Sequence, residues 1–591
     1  MPDISPEHFL TNDINCSFKF SYVNCKEISD TIKNLKNKNS QGHDNISLNL
    51  LKSLAPAIIY PLSVIINQSL VTGIFPENMK IGKVIPVYKK GDADLFDNYR
   101  PISILSSFSK VLEKIVNKQI LNYFTSHDLF MHSQHGFRPN YSTETAAIEL
   151  VDSLKIEIDK GHVPFGTFMD LSKAFDTIDH EILNKKLQYY GLNTMSLNWF
   201  KSYLMNRKQF VHMNGINSPH LTILTGVPQG SILGPILFLI YMNDIINCSD
   251  KLRFTCFADD TTLILSICYN KRICKNCTSE KDINANDINR ELDKVNKWLC
   301  TNKLTLNTNK TKYMVFHNPQ RNLKRNSNYS FLLDESSSIK INNIPIERVE
   351  THLFLGIKIH QHLTWNTHVE YIGRKIARTI GILKHIKGTV STNVLRTIYN
   401  SLVLPYLYYG ILVWGYCCQK LETLQKKCIR IVSKSFPLEH TEKLFKSLNI
   451  LKISDIFKLK CLIIHFKQKK RVLPYQIQNM FTNFNPNNNY DLRSNNQLIL
   501  KEFVTKLKSS EQILRVSLPK MINQLSAEYL ALTNLENLDN FKIKLKSLIL
   551  SEYSNNECVI KNCFPCYQRL FYPSYLSRFF QFIHILSYRN S

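Results

Sequence analysis

Arg253-Phe254-Thr255-Cys256-Phe257-Ala258-Asp259-Asp260-Thr261-Thr262-Leu263-Ile264-Leu265 is the stretch that decides the fold. Two runs of strand-forming residues flank a pair of adjacent aspartates, so Asp259 and Asp260 are expected at a hairpin turn. A second stretch, Thr167-Phe168-Met169-Asp170-Leu171-Ser172-Lys173-Ala174-Phe175-Asp176, runs from apolar residues into Asp170. A helical pattern follows at residues 180–190. Asp170 is therefore expected at a strand end, with its carboxylate projecting from a sheet edge. On its own the Asp-Asp dipeptide would read as a polar turn, because aspartate is a common turn residue.

Two adjacent carboxylates between apolar strands need a physical reason. Like charges a few ångströms apart raise each other's pKa, and desolvation raises it further. A divalent cation removes both problems. Mg²⁺ takes hard oxygen ligands, few of them from protein and the rest from substrate phosphate. If the strand end and the hairpin adjoin, three carboxylates converge, which is what two-metal phosphoryl transfer requires.

Outward from these segments, the chain has 591 residues, 74 Lys+Arg and 47 Asp+Glu, for a net charge of +27. The length calls for several lobes or domains. At 44% hydrophobic and 11% aromatic, the composition excludes a mostly disordered chain. The cationic excess points to a polyanionic partner. Fifteen irregularly spaced cysteines fit thiols in a reducing compartment better than disulfides. Residues 1–10 have no apolar core and are not a secretory signal. The longest apolar runs, 232–242 and 402–415, fall short of the roughly 18 residues a membrane helix needs. A soluble intracellular protein without a membrane partner is expected.

Residues 48–70 read as an amphipathic helix, and 70–360 as an α+β domain. Polar insertions at 270–287 and 318–338 read as surface loops. From about Tyr371 the pattern is helical and basic. Residues 371–471 hold 20 Lys+Arg and 4 Asp+Glu, net +16, over half of the total charge. Residues 483–497 are Asn-rich and read as a linker, with a further helical region at 498–591. Cys274-x₂-Cys277 and Cys558-x₄-Cys563-x₂-Cys566, near His584, lack a full zinc ligand set and read as incidental thiols.

Further motifs surround the aspartates. Asn98-Tyr99-Arg100-Pro101-Ile102-Ser103 comes first, then His135-Gly136-Phe137-Arg138-Pro139 with Ser142-Thr143. After the Asp170 segment comes Gly226-Val227-Pro228-Gln229-Gly230-Ser231-Ile232-Leu233-Gly234-Pro235. Asn307-x-Asn309-Lys310-Thr311-Lys312 and Phe354-Leu355-Gly356 follow the aspartate pair. In this order the segments resemble the reverse transcriptases of non-LTR (LINE-type) retrotransposons, especially the jockey-like group. The resemblance covers residues 40–420. It implies an α+β right-hand polymerase: a fingers extension in 1–70, fingers and palm in 71–360, a basic helical thumb in 371–480, and a C-terminal region of unassigned role. It implies two Mg²⁺ ions (or Mn²⁺) and, as partners, an RNA template, a DNA primer or target, and dNTPs. A nuclear location goes with the family.

Residue roles follow from the same resemblance. Asp170, Asp259 and Asp260 match the metal-binding aspartates, and the Leu171 carbonyl would also face a metal. Phe175 matches an aromatic that stacks under the sugar and excludes a 2′-hydroxyl. Gln229 and Gly230 match the lining of the nucleotide pocket. The loop is expected to enter a helix with Ser231 as N-cap and Pro235 in its first turn. Arg100 and Lys89 lie where fingers grip the triphosphate, although a solvated surface role is equally open for Lys89. Lys310 matches a lysine that approaches the leaving pyrophosphate as a general acid. Phe354, Leu355 and Gly356 match the primer-grip hairpin, and Arg138 a template contact. The basic helical stretch would grip duplex through phosphates, with steep salt dependence; its Tyr406, Tyr408, Tyr409 and Trp414 are expected mainly in a core.

Full-length elements of the family carry an endonuclease ahead of the polymerase. Residues 1–70 are too few for one, so nicking is expected from another chain. Three readings stay open: an active RNA-directed DNA polymerase, a catalytically inactive nucleic-acid-binding remnant, and a maturase-like RNA-folding partner. The intact Asp170, Asp259, Asp260, Gln229 and Phe175 favour the first.

Overall fold

The computed structural model describes residues 4–11, 14–268, 285–320, 339–481, 483–484, 499–507 and 511–553. It divides into two compact units, residues 1–146 with 160–350, and residues 147–159 with 351–591.

In chain order the first unit contains α1 (Cys25–Asn34), α2 (Leu48–Thr72), β1 (Ile81–Tyr88), β2 (Tyr99–Ile104), α3 (Ser107–Ser126) and the start of α4 (Thr143–Lys160). It continues with β3 (His162–Met169), α5 (His180–Tyr189), α6 (Thr194–Leu204), β4 (Lys208–Met213), β5 (Ile216–Asn217), β6 (Leu221–Thr222), α7 (Gly234–Met242), β7 (Leu252–Phe257) and β8 (Asp260–Cys268). Then come α8 (Ala285–Thr301), β9 (Lys312–Val315), β10 (Lys340–Ile341), β11 (Ile344–Pro345) and β12 (Glu347–Arg348). One sheet has the order β12-β9-β3-β8-β7; β2, β1, β4, β5 and β6 make another.

The central strand β3 is buried along nearly its whole length, as its apolar run requires. Its antiparallel register with β8 pairs Met169 with Thr261, and β7 pairs Phe257 with Asp260. The residue after Met169 is Asp170 and the residue before Thr261 is Asp260. The strand end and the hairpin tip thus meet at one end of the sheet. Phe165, Val163, Leu263, Leu265, Phe238 and Trp298 belong to the core beneath.

Helix α2 is longer than the apolar runs singled out from sequence. At 25 residues the helix is long and, on average, apolar enough to cross a membrane by length and composition alone. It carries Pro56 and Pro61, and buries Leu51, Leu62, Ile66 and Leu70. On that face Asn67 Oδ1 accepts from Val23 N at 2.9 Å, and Nδ2 donates to Val23 O at 2.8 Å. The helix is where the sequence puts it, but it is not amphipathic: Leu50, Leu54, Tyr60, Val64, Ile65 and Val71 leave its outer face apolar as well. The apolar-run reading missed this segment because Ser, Asn and Gln residues break it up.

The second unit contains the hairpin β13 (Thr351–Phe354) and β14 (Ile357–His360), then a run of helices. These are α9 (Asn366–Ile386), α10 (Thr392–Leu402), α11 (Leu404–Tyr408), α12 (Ile411–Trp414), α13 (Gln419–Val432), α14 (Glu442–Ser447), α15 (Ile453–Lys469) and α16 (Tyr475–Gln478). The helical stretch therefore begins five residues before Tyr371. Of the expected linker, Asn483–Phe484 pairs antiparallel with Ile499–Leu500; the intervening residues lie outside the described ones. Helices α17 (Leu514–Asn523), α18 (Ala527–Leu532) and α19 (Leu538–Ser551) follow. Residues 269–284 and 321–338, most of the two polar insertions, are outside the described residues, as are Cys274, Cys277, Cys558, Cys563, Cys566 and His584. Asn286 and Asp287 belong to α8, not to a loop.

Two histidines in this unit are buried as neutral rings. Burial pulls His368 down to about 4, and does the same to His465. The linkage is unambiguous in sign. Above pH 6.5 the rings are neutral in both states; below it the unfolded chain takes up protons that the folded one refuses. Stability is therefore expected to fall between pH 6.5 and 4, by about 3 kcal/mol at most for each ring. Urea titrations at pH 7 and pH 5 check this: His465→Gln should flatten the slope, and an unchanged slope would refute it.

Candidate active site

The acidic cluster is built by backbone register. Asp170 leaves β3 and its carbonyl accepts from Asn307 N at 2.8 Å, while Ser172 N donates to Thr305 O at 2.8 Å. Leu171 and Leu306 form the isolated antiparallel bridge between them. In such a non-hydrogen-bonded pair the Leu171 carbonyl points out of the ladder. Lys310 Nζ lies 3.4 Å from Asp170 Oδ2, with its side chain 66% exposed.

The electrostatics are those of crowded carboxylates. Partial burial, then repulsion from Asp170, raises Asp259, while Arg100 and Lys89 pull the other way. Asp260 stays open to solvent on one side, yet burial of the rest and repulsion from Asp259 and Asp170 push it up to about 6. Arg100 on β2 and Lys89 just after β1 are thus within electrostatic reach of Asp259. Among the described residues no three His, Cys, Asp or Glu side chains are already gathered as a metal cage. The donor set still fits a hard divalent cation: all three groups are carboxylates, they repel one another, and a shared cation would relieve that repulsion.

Next to the Asp170 segment, Phe175 and the Gln229 loop are held by specific contacts. Phe175 stacks on Phe238 at 4.5 Å between ring centroids, with 21° between planes. Val227 N donates to Phe175 O at 2.9 Å, which ties the Gln229 loop to the Asp170 segment. Gln229 Nε2 donates to both carboxylate oxygens of Asp176, at 2.9 and 2.8 Å. Its main-chain carbonyl accepts from Ser103 N at 2.7 Å. Gly230 has φ 118°, and a Cβ there would sit 2.5 Å from Ser103 O, so β2 approaches as only glycine permits.

Ser231 is not the N-cap of α7; the helix begins at Gly234 with Pro235 in its first turn. Ser231 Oγ instead accepts from Gly234 N at 2.9 Å and donates to Pro228 O at 2.9 Å. The buried carboxylate of Glu113, on α3, takes Ile232 N at 2.7 Å and Leu233 N at 3.3 Å. A carboxylate from another helix does the capping, and no local pattern announces it.

Arg138 is half-buried and turned inward. Its Nη1 donates to Met131 O at 3.0 Å and Gln134 O at 3.3 Å, and its guanidinium lies 4.1 Å from the Tyr141 ring centroid. Phe137, 52% exposed, meets Phe175 edge to face at 6.3 Å. Sequence reasoning passed over Gln134, Asp176 and Glu113, whose partners lie far along the chain.

Phe354, Leu355 and Gly356 lie in the second unit. Leu355 (φ 44°) and Gly356 (φ 85°) form the two-residue turn of the β13–β14 hairpin. Tyr409 Oη donates to Leu355 O at 2.5 Å and steadies that turn. Trp414 is buried, whereas Tyr406 and Tyr409 are over a third exposed.

Residues 87–376 match the family described as reverse transcriptase (RNA-dependent DNA polymerase). The chain is 26% identical over 445 residues to a probable RNA-directed DNA polymerase from transposon BS of Drosophila melanogaster, covering 72% of this chain and 46% of that protein. It is 25% identical over 468 residues to the RNA-directed DNA polymerase from mobile element jockey of the same species, covering 76% and 48%. A probable RNA-directed DNA polymerase from transposon X-element, also of that fly, is 26% identical over 426 residues, covering 69% and 43%. The chain spans about half the length of the curated relatives it matches.

Proposed function

We propose that this chain, a member of the reverse transcriptase family through residues 87–376, is an RNA-directed DNA polymerase of a non-LTR retrotransposon that copies RNA into DNA. The observation that carries the reading is the register that brings Asp170 against the Asp259-Asp260 turn, with the Gln229 loop tied to the Asp170–Asp176 segment.

Asp170, Asp259 and Asp260, with the Leu171 carbonyl, would hold divalent cations, which when bound supply activation of the primer hydroxyl and charge neutralisation of the triphosphate. The remaining work falls to the chain. Arg100 and Lys89 offset the charge of the incoming nucleotide from the fingers side. Lys310, with Nζ 3.4 Å from Asp170 Oδ2 and open to solvent, would donate a proton to the leaving group. Asp176 fixes the Gln229 amide so that its carbonyl side is the one left for a substrate. The second unit, with its basic helices, is the proposed thumb, its β13–β14 hairpin the proposed primer grip.

Primer extension on an RNA template with dNTPs and Mg²⁺ tests this. Extension by the full chain is expected; tight RNA binding without extension would leave the remnant reading in its place.

Phe175 carries a separate expectation. Its ring is held flat by Phe238, so it can act as a rigid floor under the sugar. Phe175→Ala is expected to raise the rNTP/dNTP incorporation ratio by about tenfold to a hundredfold, the scale of 1–3 kcal/mol of pocket discrimination. Single-nucleotide incorporation measures it; an unchanged ratio removes the gate from Phe175.

A further inference from the structure

The hairpin that carries Asp259 and Asp260 turns at Ala258, which has φ 55°. A residue with a Cβ is strained in this left-handed region and persists there only where its surroundings hold it. Here one side chain takes both main-chain polar groups of Ala258. Gln134 Oε1 accepts from Ala258 N at 2.8 Å, and Gln134 Nε2 donates to Ala258 O at 3.4 Å. The same Oε1 accepts from Gly136 N at 2.8 Å. Gln134 is fully buried. Its own main chain is pinned to the hairpin: His135 N donates to Cys256 O, and Cys256 N to Ser133 O, both at 2.8 Å. Gly136 allows the approach, since a Cβ there would lie 2.4 Å from Ala258 N.

We propose that Gln134 is a positioning residue for catalysis: its amide clamps the left-handed turn at Ala258 and so sets the direction in which Asp259 and Asp260 project. An amide is needed because it offers donor and acceptor side by side without charge. Glutamate would supply acceptors alone and add a negative charge beside the acidic cluster. Methionine would fill the volume and make neither bond. A clamp remote from substrate can matter this much because a misplacement of about 1 Å costs about a hundredfold in rate.

The proposal rests on the polymerase reading, so its test has two arms. In the first, hydrogen exchange of the full chain is followed in a peptide covering residues 255–262, which needs no activity. Gln134→Met is expected to lose protection at Ala258 while the rest of β7 and β8 keeps theirs; retained protection overturns the clamp. In the second, primer extension is measured for wild type, Gln134→Met, and Gln134→Met with Ala258→Gly. The single variant is expected to lose about a hundredfold in kcat with little change in the dNTP KM. Glycine at 258 adopts φ 55° without help, so the double variant is expected to recover about tenfold. A folded single variant with wild-type kcat, or a double variant with no recovery, overturns the proposal. An inactive wild type with the predicted exchange pattern would instead overturn the polymerase reading and leave the clamp standing.

Discussion

Asp259→Asn with Asp260→Asn is expected to lower kcat/KM for primer extension by at least about a thousandfold while raising the melting temperature. The first half follows from charge. A metal-binding carboxylate supplies several kcal/mol to the transition state, and each 1.36 kcal/mol is tenfold in rate. Asparagine keeps the size of aspartate and its tolerance of turns, so the β7–β8 hairpin should survive. The second half follows from the pKa shifts. Both groups are raised in the folded chain by burial and by one another. A carboxyl whose folded pKa lies above its unfolded value is a stability cost once it ionises, and that cost is fully present at neutral pH. Neutral amides remove it. Asp260 keeps part of its hydration, so the gain is modest. Activity and stability move in opposite directions, as at sites held in tension for function. Primer extension beside thermal denaturation measures both. Activity within tenfold of wild type, or a melting temperature that falls, would sink the account.

Much of this site could be read before any coordinates, for a physical reason. The elements that carry Asp170, Asp259 and Asp260 are short strands whose apolar runs and turn residues are local signals, and the antiparallel register does the rest. Phe175 and Gln229 came through the order of motifs. What was not legible is the set of side chains that bond partners far along the chain. Gln134 reaches Ala258 across 124 residues, and Gln229 reaches Asp176 across 53. Glu113 caps Ile232 across 119. A polar residue that satisfies backbone elsewhere has no periodicity. Arg138 shows the other side of this: beside aromatics and carbonyls a guanidinium turns inward, and only the fold puts Met131 O and Tyr141 around it. The one available hint for Gln134 was its place directly before His135-Gly136, an uncharged polar residue leading into a glycine that must touch another chain segment.

Lys186→Met is expected to destabilise the first unit by about 3–5 kcal/mol, the scale for leaving one member of a buried ion pair alone. Lys186 and Asp244 have side chains 0% and 1% exposed and meet at 2.5 Å. Burial draws the lysine below its ordinary range, and Asp244 opposes that. The ammonium also donates to Tyr241 O and lies 4.9 Å from the Tyr241 and Trp298 ring centroids. Trp298 Nε1 donates to the other Asp244 oxygen at 3.3 Å. One charge pair thereby joins α5, the end of α7 and α8. Helix α5 follows the Asp170–Phe175 segment, and α7 follows the Gln229 loop, so the pair ties the elements that carry Phe175 and Gln229 to each other. The stranded carboxylate, not the lost attraction, is what should hurt. Adding Asp244→Leu to Lys186→Met is therefore expected to recover most of the stability, because a well-packed apolar pair can match a buried ionic one. Denaturant unfolding of the two single variants and the double variant separates these terms. If the double variant is no more stable than Lys186→Met alone, the pair acts through packing and hydrogen bonds to Trp298 and Tyr241, and the charge argument fails.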